Sequence, residues 1–416
     1  MNVDGAEVQT TAGDGAGSGE PGGAVAVERA AGAAEAALER ASGLRNAGRT
    51  AEAVRVYGQA LEDGARAGSA MLQADAYLGL GDCALDRGDL ERLLSCCAKA
   101  ERLLADQDLP VRAPALRGRA LAHLQTRDLR YGCHLLEQAV DELHAHEAPE
   151  DAAEAGAAGP GAAGEDGGAA TARALVLLYA TLISPYVDLG ERERAARAAE
   201  VAETLLPRTR DPQVRAYLRR QAARWLTTEG RFGDALEALA EAEAAYRRQG
   251  IRIEVAQSRW ARGYVLAQQG ALEEAERELT AARDELREVG SQLITMQVEV
   301  ELADVWRRRG KSVEAAALLG RMLRELRGDH GAVHAAAAHH LLGVILEGSD
   351  PGAAERHYRA ALVLRHQSRL AGDLAVTCRR LGDLLHRIGR TPEAVDVYRF
   401  GLSGLSGPGT TTLGDS

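Results

Sequence analysis

Residues 227–246 read TTEGRFGDALEALAEAEAAY, and residues 267–282 read AQQGALEEAERELTAA. In both stretches a glycine is followed five residues later by an alanine (Ala235, Ala275) and later by a second one (Ala242, Ala282). A glycine can end a helix in left-handed backbone, and a small alanine lets two antiparallel helices approach closely. Each stretch therefore predicts two helices joined by a tight turn.

The same pattern recurs along the chain with a period of forty residues. The turn glycines are Gly48, Gly88, Gly190, Gly230, Gly270, Gly310 and Gly389. Degenerate copies at Arg127-Asp128 and at Gly348-Ser349-Asp350 fill two gaps, which gives nine helix-turn-helix units. One unit cannot bury its apolar face alone, so such units stack into a continuous core. The sequence predicts an all-α protein, an α-solenoid wound as a right-handed superhelix.

This pattern resembles the tetratricopeptide repeat. The Leu-Gly pair of that family is present as Leu80-Gly81, Leu342-Gly343 and Leu381-Gly382, and its closing proline as Pro207 and Pro110. The early tryptophan of the family is mostly missing, and the period is longer than the usual one of about 34 residues. The chain is similar to the extended repeats of kinesin light chains, Rap-type peptide receptors and the sensor regions of bacterial regulators. The resemblance implies a concave surface that binds proteins or peptides.

Negative charge is concentrated in two segments outside the repeats. The 416 residues carry a net charge of −11. Residues 1–28 hold five acidic and no basic residues and residues 147–168 hold six, so the rest of the chain is formally neutral. Both segments are rich in Gly and Ala, which predicts disorder. We predict a disordered acidic tail at 1–27, units one to three at 28–146, a disordered acidic linker at 147–169, units four to nine at 170–405 and a flexible tail at 406–416.

Composition argues against several classes of protein. A neutral repeat region attracts nucleic acid weakly, so we expect no direct nucleic-acid binding. No apolar run approaches the roughly 20 residues of a membrane span, and we expect a cytoplasmic protein without membrane contact. Five cysteines without a CxxC pair predict reduced thiols that fill the core. The excess of Arg over Lys is typical of a bacterial, actinobacterial-type genome of high GC content.

No motif for catalysis is present. The chain lacks a phosphate-binding loop, a GxSxG elbow and an HExxH helix, so we expect no enzyme activity, no cofactor and no metal. His144 and His146 are expected at a solvated helix end next to the acidic linker. A denser histidine group lacks a carboxylate spaced to complete a metal site; it comprises His330, His334, His339, His340 and His357.

The first helix of each unit lines the concave surface in a tetratricopeptide array, and counting back from the turn glycines places the candidate groove residues. They are Tyr217, Arg220, Gln221 and Arg224 in unit five, Gln257, Trp260, Tyr264 and Gln268 in unit six, Gln297, Glu301, Asp304 and Arg308 in unit seven, and Arg379 and Asp383 in unit nine. Unit four offers Leu177, Ala180, Thr181 and Ser184, which predict little binding. Gln and Arg can bond a peptide's backbone and carboxylate, and aromatic rings supply buried area. Trp260 is the predicted centre.

We therefore expect a non-enzymatic scaffold that binds a protein or peptide, in regulation or signalling in a bacterial cytoplasm. The alternatives are a Rap-like phosphatase or signalling-peptide receptor, a hydrolase using the His334–His357 group, and a self-assembling structural scaffold. Only residues 24–47 precede the first turn, which is too short for the amino-terminal bundle of Rap phosphatases. The only asparagines are Asn2 and Asn46, which disfavours a chaperone-type carboxylate clamp and weakens the likeness to Rap receptors. The partner and the oligomeric state are not predicted.

Overall fold

The computed structural model describes residues 21–147, 163–326, 331–367 and 371–405. Over these ranges the secondary structure is helical, with eighteen α-helices and no strand. The helices pair in chain order into nine antiparallel units, so the predicted all-α solenoid is confirmed. The helices are α1 (Pro21–Asn46), α2 (Thr50–Arg66), α3 (Ala70–Arg87), α4 (Leu90–Leu103), α5 (Leu109–Gln125), α6 (Leu129–Glu147), α7 (Ala163–Asp188), α8 (Arg192–Leu205), α9 (Pro212–Thr228), α10 (Phe232–Arg248), α11 (Arg252–Gln269), α12 (Leu272–Glu288), α13 (Gln292–Arg308), α14 (Ser312–Glu325), α15 (Ala332–Leu346), α16 (Pro351–Gln367), α17 (Ala371–Arg387) and α18 (Thr391–Leu405), with a 3-10 turn at Leu206–Arg208.

The turns within the units form as the repeat predicts. Gly88 ends α3 with a φ of 78°, and Gly270 ends α11 with a φ of 90°. The alanines five residues after the turn glycines are at most 1% exposed, and they are Ala53, Ala195, Ala235, Ala275, Ala315 and Ala394. The structure adds left-handed glycines at turns between units, such as Gly250 and Gly290. The underlying repeat is therefore one helix and one turn every twenty residues over this part of the chain.

The first helices of the units line the inside of the array. From α1 to α13 each contacts the first helix of the next unit, as in α7 with α9 and α13 with α15. No comparable contact joins consecutive second helices within the described ranges. The stack therefore curves with its first helices on the concave side, as the resemblance implies.

Successive coils of the superhelix touch each other. Helix α3 of unit two packs against α13 of unit seven, and Leu90 and Leu93 share a core cluster with Leu293. The left-handed turns at Gly48 and Gly88 lie so close to Val289 and Leu293, respectively, that an added Cβ would overlap those side chains. The first two units thus rest on the sixth and seventh, a contact that the repeat pattern does not predict.

The boundaries of the helices differ from the predicted segments. Helix α1 begins at Pro21, inside the predicted tail, and α7 begins at Ala163, inside the predicted linker. Alanine and glutamate are strong helix formers, so an acidic, Ala-rich composition does not by itself stop a helix. Residues 1–20, 148–162 and 406–416 lie outside the described residues, and the predicted disorder there stays a prediction.

Units three and four stack directly although the predicted linker separates them in sequence. Leu136 and Leu143 of α6 share one core cluster with Leu175 and Leu182 of α7, and all four are at most 2% exposed. The two predicted arrays are therefore one continuous stack.

Cutting the chain between residues 148 and 162 at an engineered protease site should leave the two pieces associated. The shared core of α6 and α7 holds them together, since each buried leucine contributes about 1.5–3 kcal/mol. Size-exclusion chromatography of the cut protein should give one peak, and two after Leu143→Asp is introduced together with Leu293→Asp, which disrupts the contact of α3 with α13. Pieces that separate without denaturant or mutation would show that units three and four do not share a core.

One helix departs from the expectation that no apolar run is long enough to span a membrane. The segment Gly167–Asp188 has 22 residues and a mean hydropathy of 1.4, which suffice by length and composition. Leu175 and Ile183 on this helix are 0% exposed inside the array. Its apolar character is that of a core helix packed between α6, α8 and α9.

The prediction for the cysteines is confirmed. Cys83, Cys96, Cys97, Cys133 and Cys378 are all buried and unpaired. Burial raises the pKa of Cys97 to about 12 and that of Cys378 to about 11, so these thiols stay protonated at neutral pH.

Candidate functional site

A row of polar and aromatic side chains follows the inner face from α5 to α13, and we call it the inner polar row. At its start Arg117 of α5 donates from Nε to Thr181 Oγ1 of α7 at 2.9 Å. The Arg117 guanidinium also lies 4.7 Å from the centre of the Tyr217 ring of α9. The hydroxyl groups of Thr181 and Tyr217 are 3.1 Å apart. One cluster thus joins the first helices of units three, four and five.

The next members connect units four, five and six. Ser184 Oγ of α7 donates to Gln221 Oε1 of α9 at 2.9 Å. Arg220 of α9 forms an ion pair with Glu254 of α11 at 2.9 Å, and only 11% of the Arg220 side chain is exposed. Because little of this pair meets water, its attraction is screened less than that of a surface pair.

Asp188, at the end of α7, is shared by two arginines. It bonds Arg127 of unit three at 2.5 Å and Arg224 of unit five. Burial alone would raise the pKa of Asp188, but the nearby Arg224 and Arg127 outweigh it and lower that pKa. Arg127 occupies the degenerate turn with a left-handed φ of 64°, which costs about 1–2 kcal/mol for a residue with a side chain. Its bond to Asp188 gives a physical reason for an arginine where most units have glycine.

Trp260 and Glu301 continue the row between units six and seven. Trp260 Nε1 donates to Glu301 Oε2 at 2.8 Å. The Trp260 ring is partly buried and packs against the main core cluster, so this residue holds the array together as well as facing its inside. Tyr264, one turn further along α11, has its ring centre 5.4 Å from the Arg224 guanidinium.

Burial raises the pKa of Glu301 to about 7, although the Trp260 N–H and Arg224 act to lower it. A carboxyl group that keeps its proton in the folded state up to pH 7 loses that proton near pH 4.5 when unfolded. Between these values a rise in pH favours the unfolded state.

Replacing Glu301 by glutamine should therefore make the melting temperature less dependent on pH between pH 5 and 8. The wild-type melting temperature should fall relative to that of Glu301→Gln as pH rises from 5 to 8, because only the wild type must ionise a buried group. Thermal unfolding over this pH range measures the effect, with Glu314→Gln at an exposed position as the control. Parallel profiles for wild type and Glu301→Gln would contradict the shifted pKa.

The structure joins some of the predicted groove residues and separates others. Tyr217, Arg220, Gln221, Arg224, Trp260, Tyr264 and Glu301 all belong to the inner polar row. Gln257 and Gln297 are partly buried on α11 and α13, and Arg308 donates to the Ala267 carbonyl oxygen at 2.8 Å. Asp304 bonds Arg307 of its own helix, Gln268 is exposed, and Asp383 accepts from Tyr398 at 2.6 Å within unit nine. Arg379 is exposed, and neither it nor Asp383 joins the row.

Sequence reasoning missed several members of the inner polar row. Thr181 and Ser184 of unit four bond residues of neighbouring units and so belong to the row, while the expectation that unit four binds little ligand stays a prediction. Arg117 and Asp188 were not proposed at all. A usable signal lies in the spacing, because the pairs 184–221 and 188–224 are 37 and 36 residues apart.

The histidine group is packed rather than arranged around a metal. His339 and His357 meet through their Nδ1 atoms at 2.9 Å, and His340 Nδ1 lies 3.1 Å from Thr377 Oγ1. Burial lowers the pKa of His334 to about 4 and that of His340 to about 3. Within the described ranges no cluster of three or more His, Cys, Asp or Glu could hold an ion; His330 lies outside those ranges.

Comparison with solved structures gives the class of the fold. No protein-family model and no curated protein matches the chain. The nine helix pairs and the solved structures that resemble them show an all-α solenoid fold with a forty-residue period, as the resemblance to the tetratricopeptide repeat predicts.

Three of these structures are similar over most of the chain. A Rap protein complexed with competence and sporulation factor has a TM-score of 0.58 at 12% identity, covering 89% of this chain and 97% of its own. The apo quorum sensor NprR from B. thuringiensis has a TM-score of 0.51 at 13% identity, covering 89% and 98%. The Rap conjugation gene regulator of plasmid pLS20, in complex with the Phr* peptide, has a TM-score of 0.51 at 11% identity, covering 89% and 94%. At these identities the likeness concerns the fold alone.

Proposed function

We propose that this protein is a non-enzymatic regulatory scaffold that binds a peptide or protein segment on its inner face, in a bacterial cytoplasm. The observation that carries the proposal is the inner polar row, in which tyrosine rings, a tryptophan and guanidinium groups of α5, α9 and α11 lie on one face with hydroxyl and carboxylate groups of α7 and α13. Trp, Tyr and Arg dominate the binding energy of protein interfaces. Side chains of these types on a concave helical surface suit an extended peptide.

The similar folds support the proposal. Two of the solved structures are complexes with a bound factor or peptide. The alignment covers 97% of the Rap chain, so the length of the amino-terminal segment does not distinguish this protein from a Rap-like one. We therefore include the signalling-peptide receptor, one of the alternatives above, in the proposal.

Replacing Tyr264 by alanine should weaken binding of the partner without unfolding the protein. Tyr264 faces Arg224 inside the array, whereas Trp260 also packs on the core, so Tyr264 is the cleaner probe. Loss of an aromatic anchor costs about 2 kcal/mol or more in binding, which is more than tenfold in affinity. Affinity capture from the native cell, quantified by mass spectrometry, measures the loss.

The matched control is Tyr131→Ala, which removes an exposed tyrosine on α6. Thermal unfolding of both variants checks that the fold is kept. A folded Tyr264→Ala protein that captures the same partners as the wild type would refute binding on the inner face.

A further inference from the structure

Arg117 is held in a fixed orientation at the start of the inner polar row. Its Nε atom donates to Thr181 at 2.9 Å, and its guanidinium carbon lies over the Tyr217 ring, 4.7 Å from the ring centre. A cation–π contact and one directed hydrogen bond restrict a guanidinium that would otherwise move freely at the end of a flexible side chain. The side chain is therefore oriented before any ligand arrives.

The hydrogen bonds around Arg117 can be assigned from donors and acceptors. Thr181 donates its own proton to the Leu177 carbonyl oxygen at 2.6 Å, so its oxygen accepts from both Arg117 and the Tyr217 hydroxyl. A threonine oxygen has two lone pairs, and both are thereby used. The guanidinium has five N–H donors; Thr181 accepts from one of them, and the Tyr217 hydroxyl oxygen is a second acceptor beside it.

Arg117 differs from the other arginines of the inner face in its charge partners. Arg220 has Glu254, and Arg127 and Arg224 share Asp188. Over the described ranges no carboxylate lies within ion-pair distance of Arg117. Asp82 and Glu254 attract it only from further away, and each of them pairs with another arginine.

A second guanidinium strengthens the positive field at this point. Arg220 lies 5.3 Å from the centre of the same Tyr217 ring, and its Nε atom is buried without a hydrogen-bond partner. Burial would raise the pKa of Tyr217, yet Arg117 and Arg220 outweigh burial and lower that pKa. The surroundings of the ring therefore favour negative charge.

We propose that Arg117, with Arg220 beside it, binds a carboxylate of the peptide on the inner face. This inference rests on the proposed function, because it assigns one chemical group of that ligand to one place in the row. A guanidinium and a carboxylate fit each other as a planar, two-pronged pair. One carboxylate also supplies the single negative charge that Arg117 lacks. The carboxylate can be the carboxyl terminus of the peptide or an Asp or Glu side chain.

Three pools of synthetic N-acetylated hexapeptides test the proposal on the full chain. The first pool contains uncharged residues and a free carboxyl terminus, the second is the same with a carboxamide terminus, and the third has a carboxamide terminus and one Asp or Glu. Peptides retained by the protein are quantified by mass spectrometry after equilibrium dialysis. We expect at least tenfold more retention of the first or the third pool than of the second, since a charge-assisted hydrogen bond contributes about that much. Which of the two is retained identifies the source of the carboxylate.

The variants separate this inference from the proposed function. Arg117→Gln should abolish the preference for carboxylate, whereas Arg215→Gln, at an exposed position of α9, should keep it. If Arg117→Gln does not fold, Arg117→Lys retains the charge without the planar fork and should reduce the preference severalfold. Equal retention of all pools, or a preference that survives the change at Arg117, overturns the carboxylate site while leaving peptide binding intact. Retention of no pool by the wild type counts against the proposed function itself, and the inference falls with it.

Discussion

Replacing Gly88 by alanine is expected to lower the free energy of unfolding by about 2–5 kcal/mol, well beyond the cost of the same change at Gly270. Both glycines have left-handed backbone, where an alanine costs about 1–2 kcal/mol. At Gly88 the new Cβ would also overlap Leu293 across the contact between coils, whereas at Gly270 nothing lies within 4 Å of it. The difference between the two losses therefore measures the contact between coils.

A second pair of glycines gives an independent measurement. Gly48 and Gly310 have φ values of 79° and 81°, but only Gly48 faces a side chain of the other coil, that of Val289. Chemical denaturation of Gly48→Ala and Gly310→Ala should show the larger loss at Gly48. Equal losses in both pairs would mean that the coils do not touch in solution.

Replacing Asp188 by alanine should cost about 3–5 kcal/mol of stability, because it leaves Arg127 and Arg224 without their shared carboxylate. The loss of stability caused by Asp188→Ala should be larger at neutral pH than in acid. The pKa of Asp188 is lowered in the folded state, so its contribution is present above the ordinary aspartate pKa of about 3.9. It is lost as pH falls through the lower, folded value, and wild type and variant should converge in acid.

The control for this change is Asp234→Ala. Asp234 pairs with Arg231 at the start of α10, but about half of each side chain is exposed, 52% and 54% respectively. Such surface pairs contribute about 0–1 kcal/mol. Denaturation curves that show the same loss of unfolding free energy for both aspartates would contradict the claim that Asp188 stabilises two largely buried arginines.

The fold could be predicted because its determinants are local and repeated. A glycine that ends a helix and an alanine five residues later act within one unit, and Ala235 and Ala275 are fully buried as expected. The repeat also gave the correct number of units. It also placed the degenerate turn at Arg127, where left-handed backbone forms without glycine. It did not predict the contact of Gly88 with Leu293, which joins units that are far apart in sequence.

The candidate site was only partly predictable, because it depends on pairs of helices. Counting back from the turn glycine placed Arg220 and Arg224 on the inner face but could not supply their partners Glu254 and Asp188. The sequence around Thr181 is apolar and does not indicate that this residue bonds Arg117 and Tyr217. A side chain gains its role here from the neighbouring unit, and the sequence of one unit does not contain that information.

The contact between coils has a consequence for the order in which the chain can fold. Gly88 and Leu293 are separated by about 200 residues, and at 5–20 residues per second a ribosome needs roughly 10–40 s to synthesise that length. Units one and two can form their helices during this time, but the apolar surface near Leu90 and Leu93 stays uncovered until α13 is synthesised. A nascent chain halted before residue 292 should therefore show this surface to chaperones or hydrophobic dyes, and a chain released after α14 should not.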